Sequence, residues 1–522
     1  MTAATPLTAP LPALGLTHPW RALPLAAVFG VMQTQSFAPT GWWWMQLLAL
    51  TGLVVLLRAS RSTRMAALTG AMFGLGWFLS GIWWLYISMH TYGGMPAWMA
   101  ALAVVLFSLY LSLYPALAGA AWYRLTRHAP DARWTPLLFA ALWLLSEWLR
   151  GVVFTGFPWL ASGYPHTTGP LGGFAPLVGM YGIAGLAALL AAVAARATWH
   201  RTGSVLRRAL LVAVVLGAGW GLRQIPWTEP AGKPIAVRLL QGNVPQNIKF
   251  EPVGVEASLA LYRDMITAAP ADLIVTPETA FPILVQQMPE PLAHELRAFA
   301  DTTGSALLLG MAGADSPVDF TNSVFGVSPG VAGVYRYDKH HLVPFGEFIP
   351  FGFRWFVDMM HMPLGDFRRG GPAQAALDVR GVRVAPNVCY EDLFGEEIAL
   401  SLRHQPQPAN VLVNVTNLAW FGDTIALDQH LQISQMRALE SGRPMLRATN
   451  TGATALVTAD GTIAARLPHL TRDALTVQVQ GMQGLTPYVR TGNSVVLGVA
   501  LLVLLGALGH ALRNSRDRAK NR

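Results

Sequence analysis

Cys389 is the only cysteine in the chain, which rules out an intrachain disulfide and any cysteine-rich metal cluster. A lone thiol is either packing or a nucleophile. It stands at the end of an apolar run, Val382 to Val388, and Tyr390, Glu391 and Asp392 follow it. A second apolar run, Leu273-Ile274-Val275, ends at Pro277 and delivers a carboxylate, Glu278. A third segment, Tyr335 to Glu347, sets Lys339 between aromatic residues and a Pro344-Phe345-Gly346 turn. The chain has four lysines and uses arginine for almost every other positive charge, so a lysine there draws notice. Strand ends in α/β sheets are where reactive side chains gather. Taken singly, each residue also has a plain structural reading: an inert buried thiol, a helix-capping carboxylate and a surface ammonium.

Together the three side-chain types complete one another. A thiol with a pKa of about 8.5 is mostly protonated at neutral pH. It needs a base such as Glu278 and gains from a cation such as Lys339, which favours first the thiolate and then an oxyanion. Attack on an ester or amide yields a thioester, from which a second nucleophile takes the acyl group. The His340-His341 pair is a poor metal site, because strand neighbours point to opposite faces and no cysteine or acid stands at ligand spacing. No cofactor is expected.

The elements that must position these residues occupy a segment of soluble texture. Residues 226–490 hold 25 acidic and 19 basic residues, whereas residues 1–225 hold thirteen arginines, no lysine and two acids, Asp131 and Glu147. Short apolar runs at 235–240, 273–275, 306–309, 382–385, 411–415 and 453–457 read as strands. Helical periodicity falls at 254–268, 290–302 and 425–441, and Ala459-Asp460-Gly461 reads as a hairpin turn. The alternation predicts one α/β layered sandwich.

The flanking sequence is of another kind. The whole chain is 53% hydrophobic and 12% charged, against about 25% charged in soluble domains, so it needs lipid as well as a core. Apolar runs near 20–37, 42–58, 66–88, 96–123, 134–150, 170–196, 205–223 and 493–512 make about eight candidate spans of the hydrocarbon layer. Gln33 and Gln35 interrupt the first, and residues 38–41 form a short link, so a re-entrant pair is the alternative there.

Arg58, Arg61 and Arg64, then Arg124, Arg127 and Arg133, then Arg196, Arg201, Arg207 and Arg208 make every second loop basic. Positive loops stay inside, which puts both termini in the cytoplasm and residues 226–490 across the membrane. The formal charge of +9 therefore reports topology, and no nucleic-acid partner is expected. Phe154 to Leu160 is too short to cross and reads as an interfacial aromatic anchor, with a substrate gate as the other reading. The expected organisation is a bundle of about seven spans over 1–225, an outer domain over 226–490, and a last span with a basic tail over 491–522.

Glu278, Lys339 and Cys389, in that order and each at a strand or loop end, resemble the Glu-Lys-Cys triad of the nitrilase superfamily. The phrases Gln241-Gly242-Asn243-Val244-Pro245-Gln246, Lys339-His340-His341-Leu342-Val343-Pro344-Phe345-Gly346-Glu347, Cys389-Tyr390-Glu391 and Trp420-Phe421-Gly422-Asp423 are similar to the membrane-embedded apolipoprotein N-acyltransferase family. Phe157-Pro158-Trp159 and Gly484-Leu485-Thr486-Pro487-Tyr488 fit that family too, so the resemblance covers nearly the whole chain.

The resemblance implies a multi-pass α-helical bundle in the bacterial inner membrane carrying a periplasmic, nitrilase-like αββα sandwich. It implies transfer of a fatty acyl chain from a phospholipid to the α-amino group of a diacylated apolipoprotein's first cysteine. Glu278 would be the general base, Lys339 the charge stabiliser and Cys389 the acyl-carrying nucleophile. Glu347 would support the lysine, Tyr390 and Glu391 would shape the thioester pocket, and Asn243, Trp420 and Phe421 are substrate-side candidates. A monomer is expected. Water competes for a thioester, so an apolar cover is expected, with Phe353, Trp355, Phe356, Met359 and Met360 as its candidates and core packing as their other reading.

Two rivals stay open: a membrane-anchored amidohydrolase of the same fold, and a transporter or sensor with a ligand-binding outer domain. About eight spans are more than an anchor needs. Glu147 and Arg150 are too sparse a set of membrane charges for a solute path.

Overall fold

The computed structural model describes residues 18–196, 202–316, 319–352, 354 and 366–520. Phe353, Trp355, Phe356, Met359 and Met360, the candidate cover, lie outside the described residues.

The N-terminal half is helical: α1 (Pro19–Thr34), α2 (Trp43–Ala59), α3 (Thr63–Gly81), the short α4 (Leu85–Ile87) running into a π-turn at Ser88–Tyr92, α5 (Ala97–Thr126), α6 (Thr135–Val152), α7 (Ala175–Ala194) and α8 (Thr202–Leu222). Among the described residues, five helices are long and apolar enough to cross a membrane, or six if a bent pair counts as one span. The protein is a membrane protein. The run near 66–88 is that bent pair: Thr63–Gly81 and Leu85–Tyr92 meet at 61°.

Small residues let the bundle's backbones approach, as packing within lipid favours. A Cβ at Gly70 would lie 2.3 Å from the Pro115 carbonyl oxygen, and one at Gly76 2.1 Å from that of Ala27. Glycine is thus required where α3 meets α5 and α1.

Glu147 and Arg150 pair at 3.3 Å, both buried. The carboxylate accepts the Ser162 N–H at 2.8 Å, and Arg150 donates to the Trp159 carbonyl at 2.8 Å. The pair staples the 153–163 loop in place, which accounts for both charges without a transport path. Within that loop Phe154 is 78% exposed, as an interfacial anchor would be. Trp159 instead is buried, stacking on His430 at 5.4 Å, so it is not exposed as an interfacial anchor would be.

Residues 229–483 form two facing sheets. The first comprises β1 (Glu229–Gln241), β2 (Leu273–Val275), β3 (Phe281–Leu284), β4 (Ala306–Ser316), β5 (Asp319–Val327), β6 (Val334–Asp338) and β13 (Asp473–Gln483), in the order β13-β1-β2-β4-β5-β6 with β3 paired to β4. The second holds β7 (Leu377–Val379), β8 (Val382–Val388), β9 (Val411–Thr416), β10 (Met445–Thr449), β11 (Ala455–Val457) and β12 (Ile463–Arg466), in the order β12-β11-β10-β9-β8-β7. β1, β2 and β4 run parallel, as do β8, β9 and β10.

Val237, Leu239, Val275 and Leu308 of the first sheet interdigitate with Val384, Val413, Val415 and Leu446 of the second. Each such buried side chain contributes about 1.5–3 kcal/mol. Outside the first sheet lie α9 (Pro252–Thr267) and α10 (Glu290–Thr303), and outside the second α11 (Gly395–His404) and α12 (Ala426–Ser441). This is the α/β sandwich that the alternation predicts. The helix α13 (Pro487–Thr491), capped by the Thr486 hydroxyl, then leads into α14 (Ser494–Lys520).

The sandwich does not hang free of the bundle. Every residue of α12 except Asp428 is buried, and its Glu440 carboxylate accepts the Met180 N–H of α7 at 2.7 Å. Tyr390, Leu393, Phe394, Ile433 and Met436 join the bundle's own apolar core.

Candidate active site

Glu278, Lys339 and Cys389 come from three strand ends of the two sheets. β2 stops at Thr276-Pro277 because proline cannot extend the ladder, and the next residue, Glu278, is 8% exposed. One carboxylate oxygen accepts the Asn322 side-chain N–H at 2.7 Å, and the other accepts the backbone N–H of Asn417 at 2.9 Å. β6 ends at Asp338, and Lys339 follows with 1% exposure. Its Nζ lies 2.9 Å from Glu347 Oε1 and 3.5 Å from Glu278 Oε1. Glu347 also accepts from Asn322 at 2.6 Å and from the Val343 N–H at 2.8 Å. β8 ends at Val388, and Cys389 turns the chain with φ +53°, a left-handed conformation that costs a non-glycine residue free energy and recurs at functional sites.

Electrostatics couple the three. Burial, reinforced by the Glu278 carboxylate, pushes the Cys389 thiol up to about 12, against the pull of the Lys339 ammonium and the Thr416 hydroxyl. The resting sulfur is therefore a protonated thiol. Burial alone would lower the Lys339 pKa, but Glu347 and Glu278 outweigh it and raise it, so the ammonium persists. A thiol, a carboxylate and a fixed cation can pass a proton and stabilise developing negative charge.

Glu391 is fully engaged by the chain itself. Its carboxylate accepts N–H groups from Val388 at 2.5 Å and His340 at 2.6 Å, and the Tyr337 hydroxyl at 3.0 Å. It ties the residue before Cys389 to the residue after Lys339. Tyr390 points to the bundle, where its hydroxyl donates to the Gly156 carbonyl at 2.8 Å. Asn243, with φ +47°, donates to the Leu470 carbonyl at 2.7 Å. Its neighbour Val244 gives its N–H to Asn450, which in turn donates to Asn417 at 3.1 Å. The Gln241–Gln246 motif thus reaches Glu278 only through Asn417. Phe421 packs edge-on against Trp84 of the bundle at 4.4 Å, and Trp420 against Tyr92 at 6.0 Å, so the second sheet's aromatic turn faces the bent helix pair.

Sequence reasoning passes over two polar residues here. Asn322 bridges both carboxylates from the middle of β5, where nothing in its neighbours marks it. Lys249 is 1% exposed and donates to Thr279 at 2.8 Å and the Glu278 carbonyl at 3.3 Å. Burial lowers its pKa to about 8. The scarcity of lysine that marks Lys339 marks Lys249 as well.

The family model for the apolipoprotein N-acyltransferase N-terminal domain matches residues 29–193, and that for carbon-nitrogen hydrolases matches 236–488. An apolipoprotein N-acyltransferase of Ralstonia nicotianae is 64% identical over 493 residues, covering 94% of each chain. The chain belongs to the apolipoprotein N-acyltransferase family. Relatives of the same name from Nitrosomonas europaea and Bordetella bronchiseptica are 46% and 41% identical, covering 92% and 96% of this chain and 96% and 98% of their own. As an apolipoprotein N-acyltransferase family member the chain is an enzyme with a nitrilase-type α/β domain. Glu278, Lys339 and Cys389 all fall within its carbon-nitrogen hydrolase part.

Proposed function

We propose that this enzyme moves a fatty acyl chain from a membrane phospholipid to the N-terminal amine of a diacylglyceryl-cysteine on an apolipoprotein. The observation that carries this reading is the buried Lys339, held between Glu347 and Glu278 and electrostatically coupled to the chain's only thiol. Glu278 takes the Cys389 proton as sulfur attacks the ester carbonyl, and Lys339 stabilises the oxyanion. The tetrahedral adduct collapses to a thioester, and the lysophospholipid alkoxide leaves with the proton from Glu278. The neutral amine then attacks the thioester, Glu278 removes a proton from the new C–N centre, and that proton returns to sulfur as the thiol departs. Both substrates are held in lipid, so a site packed on a membrane bundle meets them at high effective concentration. Glu347 holds Lys339, and Glu391 fixes the spacing of the lysine and cysteine turns. Trp420 and Phe421 cover the thioester against water.

The reading extends to topology. The Arg58 side chain meets Asp131 at 2.8 Å, and Arg196 donates to the Ala132 carbonyl at 2.7 Å, so three basic loops converge at one end of the bundle. That end is the cytoplasmic one, both termini lie there, and the sandwich of 226–490 faces the periplasm of the inner membrane. Bundle 1–225, domain 226–490 and final helix with basic tail 491–522 are the three parts. α1 and α2, at 16 and 17 residues, complete a set of eight as short spans. The triad comes from one chain, so a monomer suffices.

Intact-mass measurement after exposure to phospholipid tests the reading. An acyl-sized adduct that maps to Cys389, absent from a normally inserted Cys389→Ala variant, is the expected outcome. Undiminished transfer by that variant would overturn the mechanism.

A further inference from the structure

A cavity of about 280 Å³ opens where α8 leaves the apolar region and the sandwich begins. Arg223, Trp227, Asp460, Pro176, Leu222 and Ile225 are among its walls. None of its lining residues is a thiol, a lysine or a member of the site around Cys389.

Its polar groups are unspent. Arg223 uses one terminal nitrogen, Nη2, on the carbonyls of His166, Thr167 and Gly169, at 3.0, 2.5 and 2.9 Å, which fixes the guanidinium in position. Its Nε and Nη1 remain available. The Trp227 indole N–H is buried and has no hydrogen-bond partner, a state that costs free energy unless something fills it. Asp460, which lines the same cavity, anchors one oxygen on the Thr458 hydroxyl at 2.5 Å and the Thr462 N–H at 3.0 Å. The Asp460 charge is felt at Arg223, yet no ion pair joins them. Two opposite charges lining one cavity without pairing, together with an unpaired indole donor, fit a ligand that carries both signs.

The apolar surroundings say where such a ligand comes from. α8 buries little of itself, with 6% of its most apolar window covered, and Leu210, Val214 and Trp220 are exposed along it. Tryptophan and arginine at the end of such a helix sit at headgroup level.

We propose that this cavity is a second lipid site, which holds one zwitterionic phospholipid without reacting with it. The phosphodiester lies against Arg223 and the Trp227 N–H, the headgroup ammonium against Asp460, and the acyl chains along α8. The lipid seals the seam between bundle and sandwich. The proposal needs neither Cys389 nor the acyl-transfer reading.

The test uses full-length protein in nanodiscs and a diether phosphatidylethanolamine bearing a diazirine near the glycerol, which has no ester to attack. Photolabel should map to residues 172–176 and 222–228. Trp227→Phe, which removes only the N–H, and Asp460→Asn should each lower that labelling on the order of tenfold, the scale of one hydrogen bond to a charged group, while acyl-enzyme formation from ordinary phospholipid keeps its rate. A diether phosphatidylglycerol probe should label several-fold less, and Asp460→Asn should narrow the difference. Absence of label from both segments, equal labelling by the two headgroups, or indifference to both substitutions would overturn the proposal. Acylation falling in step with labelling would make the cavity part of the donor route and also end it.

Discussion

Lys339 pairs most closely with Glu347, 2.9 Å from ammonium to carboxylate, and the Glu278 carboxylate lies further off at 3.5 Å. Glu347 neutralises much of the cation, which leaves Glu278 free to accept a proton. Glu347→Gln should shift the ammonium onto Glu278 and weaken it as a base. Single-turnover thioester formation should then slow on the order of 10²-fold, and Glu278→Gln should abolish both half-reactions. Wild-type acylation by Glu347→Gln would reduce that pair to a scaffold.

Asn322 gives its two side-chain N–H bonds to Glu278 and Glu347, at 2.7 and 2.6 Å. Asn322→Leu should leave two buried carboxylates each short of a donor, at about 1.5–3 kcal/mol apiece. The melting temperature and kcat should both fall. If only the melting temperature moves, the bridge is structural.

The Cys389 thiol, pushed up to about 12 by burial and by Glu278, should react slowly with iodoacetamide at neutral pH. Its pKa is raised, so the thiolate fraction climbs as pH rises and does not level off until near the shifted value. The alkylation rate should therefore keep rising about tenfold per pH unit beyond the ordinary thiol pKa of about 8.5. No other cysteine obscures the measurement. A plateau below pH 9 would show the shift to be absent.

Glu391 acts through backbone N–H groups on either side of the two reactive turns. Glu391→Gln keeps the volume but supplies one acceptor oxygen in place of two. A drop in kcat on the order of tenfold or more, with the phospholipid KM unchanged, is the signature of lost alignment. A matching rise in KM would point to a binding role.

Much of the sandwich was legible because its signals are local. β2 and β8 are apolar runs that end in a proline or a left-handed turn, so the residue each delivers can be read off directly. Cys389 stood out by being alone. The helix α11 escaped because Gly395-Glu396-Glu397 opens it without a recognisable cap, and β5 because Asn322 and Ser323 interrupt its apolar pattern. The bend after Gly81 was hidden for a different reason: an apolar run carries the same hydropathy whether it continues straight or breaks against a neighbour.

Residue type and chain order alone determined that one thiol, one carboxylate and one ammonium stand at strand ends, and that arginine marks alternate loops. These follow from local sterics, hydropathy and the chemistry of single side chains. Which carboxylate holds the lysine, that Asn322 joins the two acids, that Tyr390 turns to the bundle, and that Arg223 and Asp460 line one cavity were decided only by tertiary packing. Residues more than 300 positions apart meet there, as Trp84 and Phe421 do, and no local pattern carries the register of two sheets against each other or of a sandwich against its helices.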